Sequence, residues 1–131
     1  KTVILGATKG MGRAIARKMA ARGDQLFLLG RDPDDLSRSA ADLGVDGTPP
    51  AGVAVCDLAD PTTFDAALEQ AATALGGFDA VIVTAGLFAT QEMLEEDPAL
   101  AERVLSVDFT GTVLFCEAAR KRLLAQGGDA S

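Results

Sequence analysis

The densest chemical signal in the chain is a glycine cluster, Gly6-Ala7-Thr8-Lys9-Gly10-Met11-Gly12, directly after the apolar run of residues 2–5. Glycine is useful three times over between a strand and a helix. The chain must turn sharply, its backbone must come close to a diphosphate, and the helix must pack tightly on the strand. The helix that follows offers free N–H groups and a partial positive charge to phosphate oxygens. Gly6, Thr8, Lys9, Gly10, Met11 and Gly12 are therefore candidate ligand-binding residues. A bland tight turn would use the same residue types, and only the surrounding strand–helix series favours the phosphate cradle.

A second signal lies at the tip of the second apolar run, Leu29-Gly30-Arg31-Asp32. An acid at the tip would accept hydrogen bonds from a ribose 2′-hydroxyl and repel a 2′-phosphate. Gly30 and Arg31 stand there instead, and a guanidinium can grip a phosphate with two parallel hydrogen bonds. Asp32 is an acid about 20 residues beyond the glycines, but it reads better as the cap of a helix opening at Pro33. The competing reading of Arg31 is a solvated surface charge. Further along stand Asp57-Leu58, Thr84-Ala85-Gly86 and Asp108. Taken singly, these are a loop aspartate, a strand exit and a polar helix residue.

The composition narrows the chemistry. The sequence has no His, Tyr or Trp, which excludes histidine acid/base work, a histidine metal site and a tyrosine proton donor within these residues. A net charge of −7 at pH 7 argues against nucleic acid, whose binding needs a basic face. No uninterrupted apolar run approaches the roughly 18 residues that would suggest a membrane span. Cys56 and Cys116 lack metal-type spacing, and both are expected to be small buried apolar residues. With no basic, apolar leader at the start, the expected location is the cytoplasm.

The elements needed to position these residues follow from periodicity. Residues 2–5, 25–29, 53–56 and 80–83 read as strands, apolar without alternation, as when helices cover both sheet faces. A first helix runs from Gly10 to Gly23, with Met11, Ala14, Ile15 and Met19 on its inner face. Leu36, Ala40 and Leu43 mark a second helix, and residues 44–52 a loop. Phe64, Leu68, Ala71, Ala72 and Leu75 mark a third, opened by Asp60-Pro61 and closed by Gly76-Gly77. Asp97-Pro98 opens a long helix to about Gln126, apolar nearly all round and so expected to be buried nearly all round. Strand and helix alternating in this way predict an α/β fold, a doubly wound parallel sheet between two helical layers with right-handed crossovers.

The glycine spacing, G-x-x-x-G-x-G, differs from the G-x-G-x-x-G of ordinary dinucleotide enzymes. It resembles the short-chain dehydrogenase/reductase family, whose pattern is T-G-x-x-x-G-I-G, with Leu5 in place of Thr and Met11 in place of Ile. Asp57, in Cys56-Asp57-Leu58, resembles the family's aspartate at the adenine edge. Thr84-Ala85-Gly86 stands where the family has N-(N)-A-G beside the cofactor, and Val107-Asp108-Phe109-Thr110-Gly111 matches V-N-x-x-G. The resemblance runs from the first residue to the last.

The resemblance implies a Rossmann-type fold, one domain over residues 1–131 that stops before the fifth strand. It implies a bound dinucleotide, NADP(H) in preference to NAD(H), because Lys9 is the second cation that NADP-preferring relatives carry beside Arg31. It also implies hydride exchange with a small carbonyl or alcohol substrate, and a homodimer or homotetramer formed through the last helix. Asp108 is the one candidate for a catalytic role. The family's Asn at this position kinks the helix with its backbone and helps hold a water in a proton relay, whereas Asp lacks the amide donor and adds a charge. The family's catalytic Ser and Tyr-x-x-x-Lys have no counterpart here, and Ser131 falls before the fifth strand would begin. Two other readings stay open: an NADP-binding sensor or scaffold without catalysis, and a methyltransferase, which would want an acid where Gly30-Arg31 stands.

Overall fold

Apolar runs without alternation become the strands of one parallel sheet. In the computed structural model, which describes residues 1–126, β1 (Thr2–Leu5) and β2 (Leu26–Gly30) are buried along their whole length. β3 (Gly52–Val55) pairs outside β2 and β4 (Ala80–Val83) outside β1, giving the order β3-β2-β1-β4. All pairings are parallel. Gly127 to Ser131, read above as the run before a fifth strand, lie outside the described residues.

Helices cover both faces. On one side α1 (Gly10–Arg22) and α2 (Pro33–Asp46) close over Ile4, Leu26 and Leu28, with Ala16, Ala20, Leu36 and Leu43 pointing in. On the other side α3 (Phe64–Leu75) and the last helix enclose Val3, Leu5, Phe27 and Leu29. There Phe64 and Phe115 meet edge to face at 5.4 Å. The result is the three-layer, Rossmann-type arrangement expected from the sequence.

Local signals explain the helix ends. Asp32 accepts hydrogen bonds from the backbone N–H groups of Asp34 and Asp35, so it is the cap of α2, with Pro33 at its first position. Gly23 closes α1 with φ 91°, the left-handed region open to glycine.

Several expectations need correction. Of the expected inner face of α1, Met19 packs against the core, but Met11 is 71% exposed and Ala14 is exposed too, and the buried residues are Gly12, Ala16 and Ala20. At Gly12 the helix lies so near Thr84 and the glycine turn that no side chain fits beneath it. α2 continues two residues past Gly44, to Asp46. A short helix that periodicity did not reveal, α4 (Gln91–Glu96), is capped by the Thr90 hydroxyl.

The expected long helix is α5 (Ala99–Leu105), a π-helical turn (Ser106–Gly111) and α6 (Thr112–Gln126) in succession. It is not buried all round. Phe115 and Ala119 face the core, while Leu105, Phe109, Val113, Leu114 and Leu124 are exposed. Cys116 is exposed as well, against expectation, because it lies on the outward side of α6. Among the described residues no helix is long and apolar enough to cross a membrane.

Candidate functional site

The strand register brings four chain exits to one end of the sheet. Leu5 lies opposite Leu29 and Val83, and Gly30 lies opposite Val55. The residues that follow these strands line a cavity of about 620 Å³. That is within the roughly 300–1,000 Å³ usual for small-molecule and cofactor sites.

The glycine turn forms one wall. Gly6, with φ 101°, and Gly10, with φ 51°, adopt backbone conformations that side chains disfavour. A side chain on Gly6 would strike the backbone of Ala85, and one on Gly12 would strike the Thr84 hydroxyl and the Gly6 carbonyl. The two glycines thus let α1 and the exit of β4 close on the same turn. The first turn of α1 has no side-chain cap and no acidic residue. Its leading N–H groups are left for an anion, and the helix dipole favours one there. α2 makes the contrast, since Asp32 caps it and Asp34 and Asp35 fill its first turn.

Polar side chains tie the remaining exits together. The Thr84 hydroxyl lies 3.3 Å from the Leu5 carbonyl and 3.2 Å from that of Gly6, binding the end of β4 to the glycine turn. Oδ1 of Asp57 accepts from the N–H of Ala59 at 2.9 Å, while its own N–H donates to the Thr63 hydroxyl at 3.1 Å. Oδ1 of Asp108, inside the π-helical turn, accepts from the N–H of Leu87 at 2.6 Å. Gly111, at the end of the same turn, lets the helix rest on the Leu58 carbonyl, where any side chain would overlap. One motif therefore anchors the exits of both β3 and β4.

Charge is unevenly spread around the cavity. Nζ of Lys9 is 2.9 Å from Oδ2 of Asp35, whereas Arg31 has no ion-pair partner among the described residues. Cys56, on the floor, is fully buried; burial foremost, with the nearby Asp57 carboxylate adding, pushes its thiol up to about 11. Among the described residues no group of His, Cys, Asp or Glu side chains could hold a metal ion.

The family described as short chain dehydrogenase matches residues 1–130. The chain belongs to the short-chain dehydrogenase/reductase family. It is 32% identical to the D-threitol dehydrogenase of Mycolicibacterium smegmatis, covering 98% of this chain and 49% of that protein. It is 31% identical to the galactitol 2-dehydrogenase (L-tagatose-forming) of Cereibacter sphaeroides, covering 97% and 48% respectively. The chain thus spans about half the length of these curated relatives. A solved short-chain type dehydrogenase/reductase from Mycobacterium marinum superposes with a TM-score of 0.86 at 28% identity, over 95% of this chain and 50% of that one. An NAD+-bound xylitol dehydrogenase shares the fold, with a TM-score of 0.83 at 22% identity over 95% of this chain and 48% of that one.

Of the residues singled out in the sequence of this short-chain dehydrogenase/reductase chain, Gly6, Thr8, Lys9, Arg31, Asp57, Leu58, Thr84, Ala85 and Gly86 line one cavity. Gly10, Met11 and Gly12 do not line it; Gly12 is buried against Thr84, and Met11 points to solvent. Asp108 stands behind Gly86 and acts on the cavity wall through Leu87. Gly30, read as the tip of the second strand, lines the cavity too, and the lining residues that sequence reasoning did not assign to the site include Asp35, Cys56 and Val107. Asp35 had no visible signal, because its partner Lys9 comes from another element. Cys56 and Val107 flank motif residues and could have been inferred from them.

Proposed function

We propose that these residues form the cofactor-holding part of an NADP(H)-dependent oxidoreductase acting on a small carbonyl or alcohol compound. The observation that carries this reading is the uncapped start of α1, reached through a glycine turn that opens on the 620 Å³ cavity. The open N–H groups would hold the diphosphate, and Asp57 with Leu58 would border the adenine. Arg31 and Lys9 would take the 2′-phosphate, since the tip position of β2 is Gly30 and Asp32, which also lines the cavity, is engaged in capping α2. When bound, NADP(H) supplies the hydride exchanged with the substrate carbon. These residues contain no tyrosine, so the proton donor that the family draws from Tyr-x-x-x-Lys would lie outside them. We further propose that the exposed apolar side of α5 and α6 meets a second copy, in a homodimer or homotetramer.

One observation favours a second reading, an NADP-binding sensor or scaffold without turnover. The Asp108 carboxylate is engaged by the Leu87 N–H and has no amide donor to offer a relay water. The purified full-length protein should be titrated with NADPH and NADH and then assayed with a panel of small carbonyls and alcohols. Preferred binding of NADPH with turnover is expected. Binding without turnover would favour the sensor, and no binding would refute both.

A further inference from the structure

At the rim of the cavity a single carboxylate stands between two cations. Lys9, in the glycine turn, lies 2.9 Å from Oδ2 of Asp35, and Nη2 of Arg38, one turn further along α2, lies 2.6 Å from Oδ1. Each oxygen therefore serves one cation. The Asp35 side chain is only 21% exposed, while those of Lys9 and Arg38 are 80% and 75% exposed. The acid is the fixed member, and the cations are free to swing on long stems. Lys9, and after it Arg38, hold the Asp35 carboxyl below its ordinary range, so it is charged at neutral pH. Helix capping does not account for this carboxylate, because Asp32 already caps α2.

We propose that Asp35 sets the discrimination between a 2′-phosphate and a 2′-hydroxyl, as an internal rival of the phosphate for Lys9. The proposal rests on reading the cavity as a dinucleotide site. A 2′-phosphate that engages Lys9 must draw it away from Asp35 or share it, and its own charge is repelled by the carboxylate. A dinucleotide with a free 2′-hydroxyl meets neither penalty. Asp35 therefore weakens NADP binding selectively, and Arg31, outside the pairing, supplies the attraction that remains.

The test is equilibrium binding of NADP+, NAD+, 2′,5′-ADP and 5′-AMP to the full-length protein and its variants, by calorimetry. Asp35→Asn is expected to tighten NADP+ and 2′,5′-ADP by about three- to fivefold, the upper scale of an exposed ion pair, while NAD+ and 5′-AMP change less than about twofold. Asp34→Asn makes the same charge change in the same helical turn but away from the cavity lining, and should leave the NADP+/NAD+ ratio within about twofold of the original. Adding Lys9→Met to Asp35→Asn should reverse most of the gain. If both dinucleotides bind and Asp35→Asn leaves their ratio unchanged, or moves it no more than Asp34→Asn does, this inference is overturned while the dinucleotide site stands. Binding of neither dinucleotide to any of the proteins overturns both.

Discussion

Asp108 illustrates how one side chain can keep part of a role when its chemistry changes. Its observed bond is to an N–H donor, at 2.6 Å, and an amide oxygen could accept the same bond. Asp108→Asn is therefore expected to leave stability within about 0.5 kcal/mol, whereas Asp108→Ala should cost roughly 0.5–1.5 kcal/mol, the net worth of an ordinary hydrogen bond. Urea unfolding would measure both. Cys56 gives a pH-dependent prediction at the same scale. Its thiol is pushed up to about 11 in the folded chain from an ordinary 9.0. The unfolded thiol therefore ionises first, and the folded state loses stability as pH rises from about 9 through about 11. Below pH 9 the contribution is fully present. Cys56→Ala should flatten this alkaline decline in denaturant unfolding measured across pH 8–11. Thiol labelling of the native protein at pH 7.5 should spare the buried Cys56.

At the scale of elements, the packing of the last helix on the exit of β3 is set by Gly111. A methyl group there would overlap the Leu58 carbonyl, which is backbone and cannot swing aside. Gly111→Ala is expected to destabilise by about 1–3 kcal/mol, as overpacking does, and to weaken nucleotide binding because Leu58 lines the cavity. Thermal melts and a binding titration would record the two effects together. The strands were legible because uninterrupted apolar runs between glycine and proline signals leave little freedom of assignment, and the cap at Asp32 was legible from Asp-Pro alone. The inner face of α1 was legible only in part. Periodicity ranks large apolar residues as inward, but the buried residues are Gly12, Ala16 and Ala20, and at Gly12 close approach to Thr84 leaves no room for a side chain. α4 escaped notice because six residues with only Met93 and Leu94 as apolar members carry no period. The cavity lining was largely legible through ordered motifs, yet Asp35 was not, since its pairing with Lys9 depends on how α2 sits beside the turn before α1.

At the scale of the whole molecule, two features extend beyond the cavity. The chain carries a net charge of −7, and the acids reach the cavity too, where Asp32, Asp35 and Asp57 line it beside Lys9 and Arg31. The outward side of α5 and α6, with the π-helical turn between them, exposes Leu105, Phe109 and Val113 on successive turns and Leu124 about three turns further on. If a second copy covers it, Val113→Asp should lower the mass seen by light scattering to that of a monomer while the circular dichroism spectrum stays unchanged. An unaltered mass would place the contact elsewhere. The most direct test of the central claim is a fluorescence titration of the full-length protein with NADPH and with NADH. Saturable binding of one nucleotide per chain is expected, with NADPH the tighter of the two. NADH binding as tightly or more tightly would contradict the assignment of Arg31 and Lys9 to a 2′-phosphate, and no binding of either would contradict the dinucleotide site itself.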